Sequence, residues 1–126
     1  MMSSILIVDD QPHIRELFSQ ELMDEGHRVL GVGDAESVMK SISDSKPDLV
    51  LLDLYLNGLE GWDVLREIKR KDSHVPVLIV TAYDSYADDP RLSEADGYIL
   101  KNFNNIEKLK KKVVEILDRK VTNHQV

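Results

Sequence analysis

Short apolar runs of the kind that form buried β-strands alternate with helical patterns along this chain of 126 residues. Between the runs, apolar residues recur every three or four positions, which marks amphipathic helices. Strands separated by helices are typical of βαβ units around a parallel sheet. The sequence therefore predicts an α/β domain with five strands and five helices. The strands are expected at residues 5–8, 28–32, 48–52, 77–80 and 98–100.

The segment between the last two strands is the least helical part of this pattern. Residues 84–90 are polar and turn-like, and Pro90 cannot lie inside a helix without breaking its hydrogen bonds. Asp89 is suited to cap a helix that has Pro90 at its first position. Only residues 91–95 then remain for the helix. The predicted fourth helix is therefore short or irregular, and we expect the segment to be the most mobile part of the domain.

Length, charge and cysteine content narrow the class of protein. The length fits a single domain, predicted to span residues 1–120, with a short C-terminal tail at 121–126. The absence of Cys excludes a disulfide framework and a thiolate metal site. The first residues lead directly into a strand, so we expect a cytoplasmic protein without a membrane segment. The formal net charge of -7 opposes non-specific attraction to nucleic acid.

A polar side chain follows each of four predicted strands at the point where the strand ends. These residues are Asp9 with Asp10, then Asp53, Thr81 and Lys101. The carboxyl ends of parallel strands open onto one crevice, so the five side chains are expected to meet there. Carboxylates brought close together repel one another unless a hard cation lies among them. The cluster therefore predicts a site for a divalent metal and a phosphoryl group.

Each of these residues also has a structural explanation when it is taken alone. Asp9 and Asp10 precede Pro12, where an Asp commonly caps a helix. Thr81 is a residue type common in strands, and Lys101 is a typical surface charge. The functional interpretation depends on their joint occurrence after four different strands. None of the four histidines follows a metal-ligand spacing.

Several motifs resemble those of response-regulator receiver domains in two-component signalling, and the resemblance covers essentially the whole chain. They lie at residues 5–10, 47–53, 80–82 and 95–101, with Gly61 after the candidate phosphorylation loop. The resemblance implies a flavodoxin-like, doubly wound sheet with strand order 2-1-3-4-5. It also implies a bacterial signalling or phosphorelay protein that switches a downstream protein target.

The resemblance further implies roles for individual residues. Asp53 would accept a phosphoryl group from the phosphohistidine of a sensor histidine kinase or a histidine phosphotransfer protein. Mg²⁺ would be held by Asp10, Asp53 and the Tyr55 backbone carbonyl, with Asp9 acting through water. These ligands match the preference of Mg²⁺ for one or two carboxylates, phosphate and water.

Five residues complete the implied mechanism. Thr81 and Lys101 would contact the phosphoryl oxygens, and Tyr98 would be the aromatic switch residue that turns inward when Thr81 moves. Tyr55 and Tyr83 occupy the positions that flank the path of attacking water. Two bulky rings there predict slow hydrolysis, and the alternative is that both rings point into solvent. Such a domain catalyses only its own phosphorylation and dephosphorylation, so it is not a turnover enzyme. We expect a monomer or weak dimer that makes no direct contact with nucleic acid.

Two departures from the family pattern concern loops near the site. Asn102 replaces the Pro that usually follows the Lys, and Asn57 replaces a Pro that is common four places after the phosphorylated Asp. A cis bond before a residue other than Pro costs about 2.5 to 4 kcal/mol. The peptide bond between Lys101 and Asn102 is therefore expected to be trans.

Two other functions remain open from the sequence. Phosphatases of the haloacid dehalogenase type also place an Asp nucleophile after a strand with Mg²⁺, but they need a second acid where this chain has Tyr55. A receiver-like interaction module that works without phosphorylation is the other alternative. The presence of all five reacting groups argues against it.

Overall fold

Five parallel strands form the central sheet of the computed structural model, which describes residues 3–56, 59–82, 86–101 and 103–124. They are β1 (Ser4–Val8), β2 (Arg28–Val32), β3 (Leu49–Leu52), β6 (Val77–Thr81) and β7 (Gly97–Leu100). A two-stranded hairpin, β4 (Tyr55–Leu56) and β5 (Leu59–Glu60), lies between β3 and the next helix. The order in the sheet is β2-β1-β3-β6-β7. Counted without the hairpin, this is the predicted order 2-1-3-4-5.

Four α-helices occur in the described part of the chain. They are α1 (Pro12–Asp24), α2 (Glu36–Ser45), α3 (Trp62–Lys71) and α4 (Ile106–His124). A 3-10 helix at Pro90–Glu94 occupies the place of the predicted fourth helix, and a second one covers Phe103–Asn105. The predicted short fourth helix is thus correct in position, but it is not an α-helix. The last helix extends four residues into the segment assigned to the tail.

The helices cover both faces of the sheet because residues along each strand point alternately to opposite sides. In β1, Ile5 and Ile7 belong to the core under α1 and α4, whereas Leu6 and Val8 belong to the core under α2 and α3. Both faces of the central strands are therefore apolar. This explains why these strands read as continuous hydrophobic runs.

The end of α1 is set by a glycine in a conformation that other residues rarely adopt. Gly26 has a φ of 96°, and its N–H donates to the Met23 carbonyl at 2.9 Å. The next N–H, from His27, donates to the Leu22 carbonyl at 3.2 Å. These two bonds form a Schellman motif, which satisfies carbonyls at the end of the helix. Gly26 therefore terminates α1.

The strand register brings the ends of four strands to one edge of the sheet. Val8 is aligned with Leu52, and Thr81 is aligned with Leu100. The residues that follow these strands therefore emerge side by side.

Among the described residues, no helix combines the length and the apolar content needed to cross a lipid bilayer.

Candidate functional site

Lys101 bridges two buried carboxylates at the carboxyl edge of the sheet. Its Nζ donates to Asp9 Oδ2 at 2.7 Å and to Asp53 Oδ2 at 2.8 Å. The side chains of Lys101, Asp9 and Asp53 are 8%, 4% and 6% exposed, respectively. These residues follow three different strands, and the prediction that they meet is confirmed.

Asp10 joins the same cluster. Carboxylate oxygens of Asp9, Asp10 and Asp53 lie within 4.8 Å of one another, with Asp10 half-buried and the other two buried. With all three acids ionised, the single charge of Lys101 leaves two negative charges uncompensated. A set of carboxylate oxygens with excess negative charge suits a hard divalent cation. These residues therefore fit Mg²⁺.

Both side-chain oxygens of Asp53 are engaged. Lys101 binds Oδ2, and the Tyr55 N–H donates to Oδ1 at 3.1 Å. Burial raises the pKa of Asp53 and the charge of Asp9 adds to the rise, although the bonds from Lys101 and Tyr55 oppose it. The ionised form is thus held in the site at a cost in free energy. A bound cation reduces that cost.

Lys101 keeps its charge despite its burial. Burial by itself would lower the pKa of this amine, but hydrogen bonds to Asp53 and Asp9 outweigh it, and the net shift is upward. The Asn105 side chain also donates to the Leu100 carbonyl at 3.0 Å, next to Lys101 in the chain. Sequence reasoning missed Asn105, because an Asn shortly before a helix is read as part of a turn.

The helix-cap explanation for the two adjacent acids is not what the structure shows. The N-cap of α1 is Gln11, and the side chain of this N-cap residue makes no capping hydrogen bond. Asp9 Oδ1 instead accepts the Gln11 N–H at 2.9 Å, in a turn just before the helix. One carboxylate oxygen of Asp9 therefore holds the backbone that leads into α1, and the other oxygen binds Lys101.

Thr81 and Tyr98, the predicted switch pair, lie on neighbouring strands. Thr81 is fully buried, and its carbonyl accepts the Lys101 N–H at 2.7 Å. Tyr98 is aligned with Ile79, two residues before Thr81, so Thr81 and Tyr98 point to the same face of the sheet. Tyr98 is partly buried against the core under α2 and α3. The switching movement itself remains a prediction.

Of the two tyrosines predicted to flank the water path, Tyr55 lies in the described part of the chain. Tyr55 is 43% exposed, which agrees with the alternative that its ring faces solvent. Tyr83 lies outside the described residues, as do Asn57 and Asn102. The expectations for Tyr83 and for the peptide bond between Lys101 and Asn102 therefore stay predictions.

Gly61 is needed for a close approach of two backbone segments. A Cβ at this position would lie 2.8 Å from the Asp53 carbonyl oxygen. The loop after β3 therefore folds back onto Asp53 and then enters α3 at Trp62. Gly61 appears in the sequence as part of a motif, but its contact with Asp53 requires the structure.

The 3-10 helix at Pro90–Glu94 is attached to the start of α3. The Arg91 guanidinium lies 4.3 Å from the centre of the Trp62 ring, and Tyr86 meets the same ring edge-on with centroids 5.7 Å apart. Asp89 binds Arg91 through both carboxylate oxygens and accepts its N–H at 2.9 Å. These bonds lower the pKa of Asp89 to about 2 and confirm its predicted capping role. These contacts restrain the segment, so they oppose the mobility that the sequence predicts for it.

Comparison with known proteins gives one family. The sequence profile of the response regulator receiver domain matches residues 5–114. The chain is 39% identical over 105 residues to the DNA-binding response regulator MtrA of Mycolicibacterium smegmatis. That match covers 82% of this chain and 46% of MtrA, so the chain spans about half the length of this relative.

Two solved structures of the Thermotoga maritima response regulator TrrA are also similar. TrrA in complex with Mg(2+)-BeF has a TM-score of 0.85 and 37% identity, covering 91% of this chain and 99% of TrrA. TrrA in complex with the histidine kinase ThkA has a TM-score of 0.85 and 38% identity, covering 92% of this chain and 99% of TrrA.

Proposed function

This chain belongs to the response regulator receiver domain family of two-component signalling, and we propose that its Asp53 accepts a phosphoryl group from a histidine kinase or histidine phosphotransfer protein. The observation that carries the proposal is the arrangement around Asp53. A buried carboxylate lies 2.8 Å from a buried ammonium group and within 4.8 Å of two further acids. Modification would switch the binding of a downstream protein.

The proposed transfer is a displacement at phosphorus. An Asp53 carboxylate oxygen attacks the phosphorus atom of a phosphohistidine, so an O–P bond forms and the P–N bond breaks. The imidazole nitrogen keeps the electron pair and takes up a proton. A carboxylate is a competent nucleophile for this step, which depends mainly on positioning and on neutralising the phosphoryl charge.

Three parts of the site would stabilise the negative charge of the phosphoryl group. The Lys101 ammonium is already beside Asp53 and would bind a phosphoryl oxygen, and the Thr81 hydroxyl would donate a hydrogen bond. Asp10, Asp53 and the Tyr55 carbonyl would hold Mg²⁺, with Asp9 acting through water. When bound, Mg²⁺ supplies positive charge to the phosphoryl oxygens.

The partners in this proposal follow from the relatives. The solved complex between TrrA and ThkA supports a histidine kinase as the class of phosphodonor, in a two-component pathway or a phosphorelay. MtrA is named as a DNA-binding protein, but the match covers 46% of its length. The expectation of no direct nucleic-acid contact therefore remains a proposal for this chain, as do the monomeric or weakly dimeric state and the cytoplasmic location.

A labelling experiment, with a parallel assay of phosphate release from simple esters, separates the proposal from both alternatives. The 126-residue chain is incubated with acetyl phosphate and Mg²⁺, and its intact mass is measured before and after hydroxylamine. We expect the mass of one added phosphoryl group, removed by hydroxylamine because the product is an acyl phosphate. A chain that takes up no phosphoryl group would support an interaction module. Continuous release of phosphate from simple esters would support a phosphatase.

The lifetime of the phosphorylated state tests the water-path prediction. A water must align with the breaking O–P bond, and about 1.4 kcal/mol of added barrier slows hydrolysis tenfold. Replacing Tyr55 by Asn and Tyr83 by Glu should therefore speed dephosphorylation about tenfold. The decay of labelled protein after removal of the donor measures this. Equal decay rates in the two proteins would show that neither ring crowds the water.

A further inference from the structure

Asp9 is held at every polar group that it carries. Its N–H donates to the Val32 carbonyl at 3.1 Å, and its carbonyl accepts the Arg15 guanidinium at 2.7 Å. Its carboxylate accepts the Gln11 N–H at Oδ1 and the Lys101 ammonium at Oδ2. Of these four donors and acceptors, Arg15 is the one side chain that the proposed chemistry does not use.

Arg15 reaches Asp9 by passing over two glycines. A Cβ on Gly33 would lie 2.6 Å from Arg15 Nη1, and a Cβ on Gly31 would lie 3.4 Å from Arg15 Cδ. Neither glycine has a φ in the left-handed region, so the backbone alone does not require glycine there. The missing side chain at Gly33 leaves the space that the guanidinium occupies.

We propose that Arg15 is a positioning residue of the metal site. The Asp9 carbonyl belongs to the peptide unit that joins Asp9 to Asp10. By binding this carbonyl, Arg15 fixes the orientation of that peptide unit, and hence the direction of the Asp10 carboxylate toward the ion. Groups that orient metal ligands in this way typically change metal affinity 10- to 100-fold when they are removed. The inference rests on the proposed Mg²⁺ site.

A purely electrostatic role would have the opposite sign. The positive charge of Arg15 repels a cation bound to the neighbouring acids. If Arg15 acted only through its charge, removing it would strengthen Mg²⁺ binding. If it acts by holding the peptide, removing it weakens Mg²⁺ binding. The direction of the change therefore separates the two roles.

Three variants of the full chain test this inference. Arg15→Ala removes the side chain, and Gly33→Ala displaces the guanidinium while keeping its charge. The displacement is mild, because the atom that must move is the end of a flexible side chain. Gly31→Ala is the matched control, because its Cβ makes an ordinary contact with Arg15 Cδ. Calorimetry gives the Mg²⁺ dissociation constant, and thermal melting checks that each variant is folded.

We expect Arg15→Ala and Gly33→Ala to weaken Mg²⁺ binding about tenfold and Gly31→Ala to leave it unchanged. Labelling by acetyl phosphate should be slower in the two weakened variants at low Mg²⁺ and should recover at saturating Mg²⁺. Unchanged or tighter binding in Arg15→Ala overturns the inference, as does equal affinity of Gly33→Ala and Gly31→Ala. If the chain without substitutions binds Mg²⁺ but is never labelled, the proposed function is wrong. The Mg²⁺ affinities of the variants then still decide the role of Arg15. An unchanged chain that binds no Mg²⁺ overturns both.

Discussion

The Asp53→Asn protein should take up no phosphoryl group from acetyl phosphate under conditions that label the unchanged chain. An amide has no anionic oxygen to attack phosphorus, so the nucleophile is lost while the size of the side chain is kept. Lys101, Thr81 and the other acids remain in place. Intact mass spectrometry measures the uptake, and peptide mapping of the unchanged chain should locate the group on Asp53.

Two controls make this result specific. Asp48→Asn makes the same acid-to-amide change just before β3, where the Asp48 carboxylate accepts the Ser4 N–H at 2.8 Å, and it should leave labelling intact. Asp53→Asn should also remain folded. Burial raises the pKa of Asp53, so folding costs more free energy with an ionised Asp53 than with a neutral side chain. A neutral amide should therefore keep or raise the free energy of unfolding in metal-free buffer. Labelling of Asp53→Asn at the level of the unchanged chain would disprove the nucleophile assignment.

The convergence of Asp9, Asp53 and Lys101 was predictable because two local signals coincide. Each residue directly follows a continuous apolar run, and such runs are typical of parallel strands that are buried on both faces. Parallel strands must end at the same edge, so the position of a residue along the chain also gives its position in space. No long-range information beyond the α/β pattern was needed.

The contacts of Arg15 and Arg91 were not predictable in the same way. Arg15 lies on α1, and its path to Asp9 depends on how closely α1 packs over Gly31 in β2 and Gly33 just after it. Arg91 lies over the ring of Trp62, a buried residue at the start of α3. Both contacts depend on tertiary packing, and an exposed-type residue on a helix carries no signal of its partner.

The fourth helix shows how far a local signal extends. Pro90 and Asp89 correctly predicted a short, capped element, because proline restricts the backbone and aspartate accepts a free N–H. Whether a short turn becomes an α-helix or a 3-10 helix depends on a single turn of hydrogen bonds. Trp62, which lies outside the segment, acts on that balance through its contacts with Tyr86 and Arg91.

Replacing Lys101 by Met should slow the labelling of Asp53 by about 100- to 1,000-fold, the usual cost of losing a preorganised donor that stabilises transition-state charge. Met keeps most of the length and apolar volume of the side chain but removes the charge and the hydrogen bonds. Lys111→Met, an exposed position on α4, is the matched control and should label at the normal rate. The rate of mass increase at saturating Mg²⁺ measures the effect.

The same substitution should also lower the free energy of unfolding in metal-free buffer at neutral pH, by about 3 kcal/mol, because it leaves two buried carboxylates without their cation. The pKa of Asp53 is already raised by burial and should rise further without Lys101. A carboxyl group with a raised folded-state pKa takes up protons on folding, so its stability contribution is present at low pH and lost as pH rises through that pKa. The deficit of Lys101→Met relative to the unchanged chain should therefore be largest at neutral pH and smaller in acid.

Mg²⁺ provides the last step of this test, because a divalent ion can replace the missing charge without restoring the missing hydrogen-bond donor. Adding Mg²⁺ should return much of the lost stability to Lys101→Met, yet the slow labelling should persist. Urea unfolding with and without Mg²⁺, at neutral and mildly acidic pH, measures the first effect. If Mg²⁺ restored stability and labelling together, Lys101 would act only as a counter-ion to the acids. If the stability deficit were independent of both pH and Mg²⁺, the bridge from Lys101 to Asp9 and Asp53 would not be its cause.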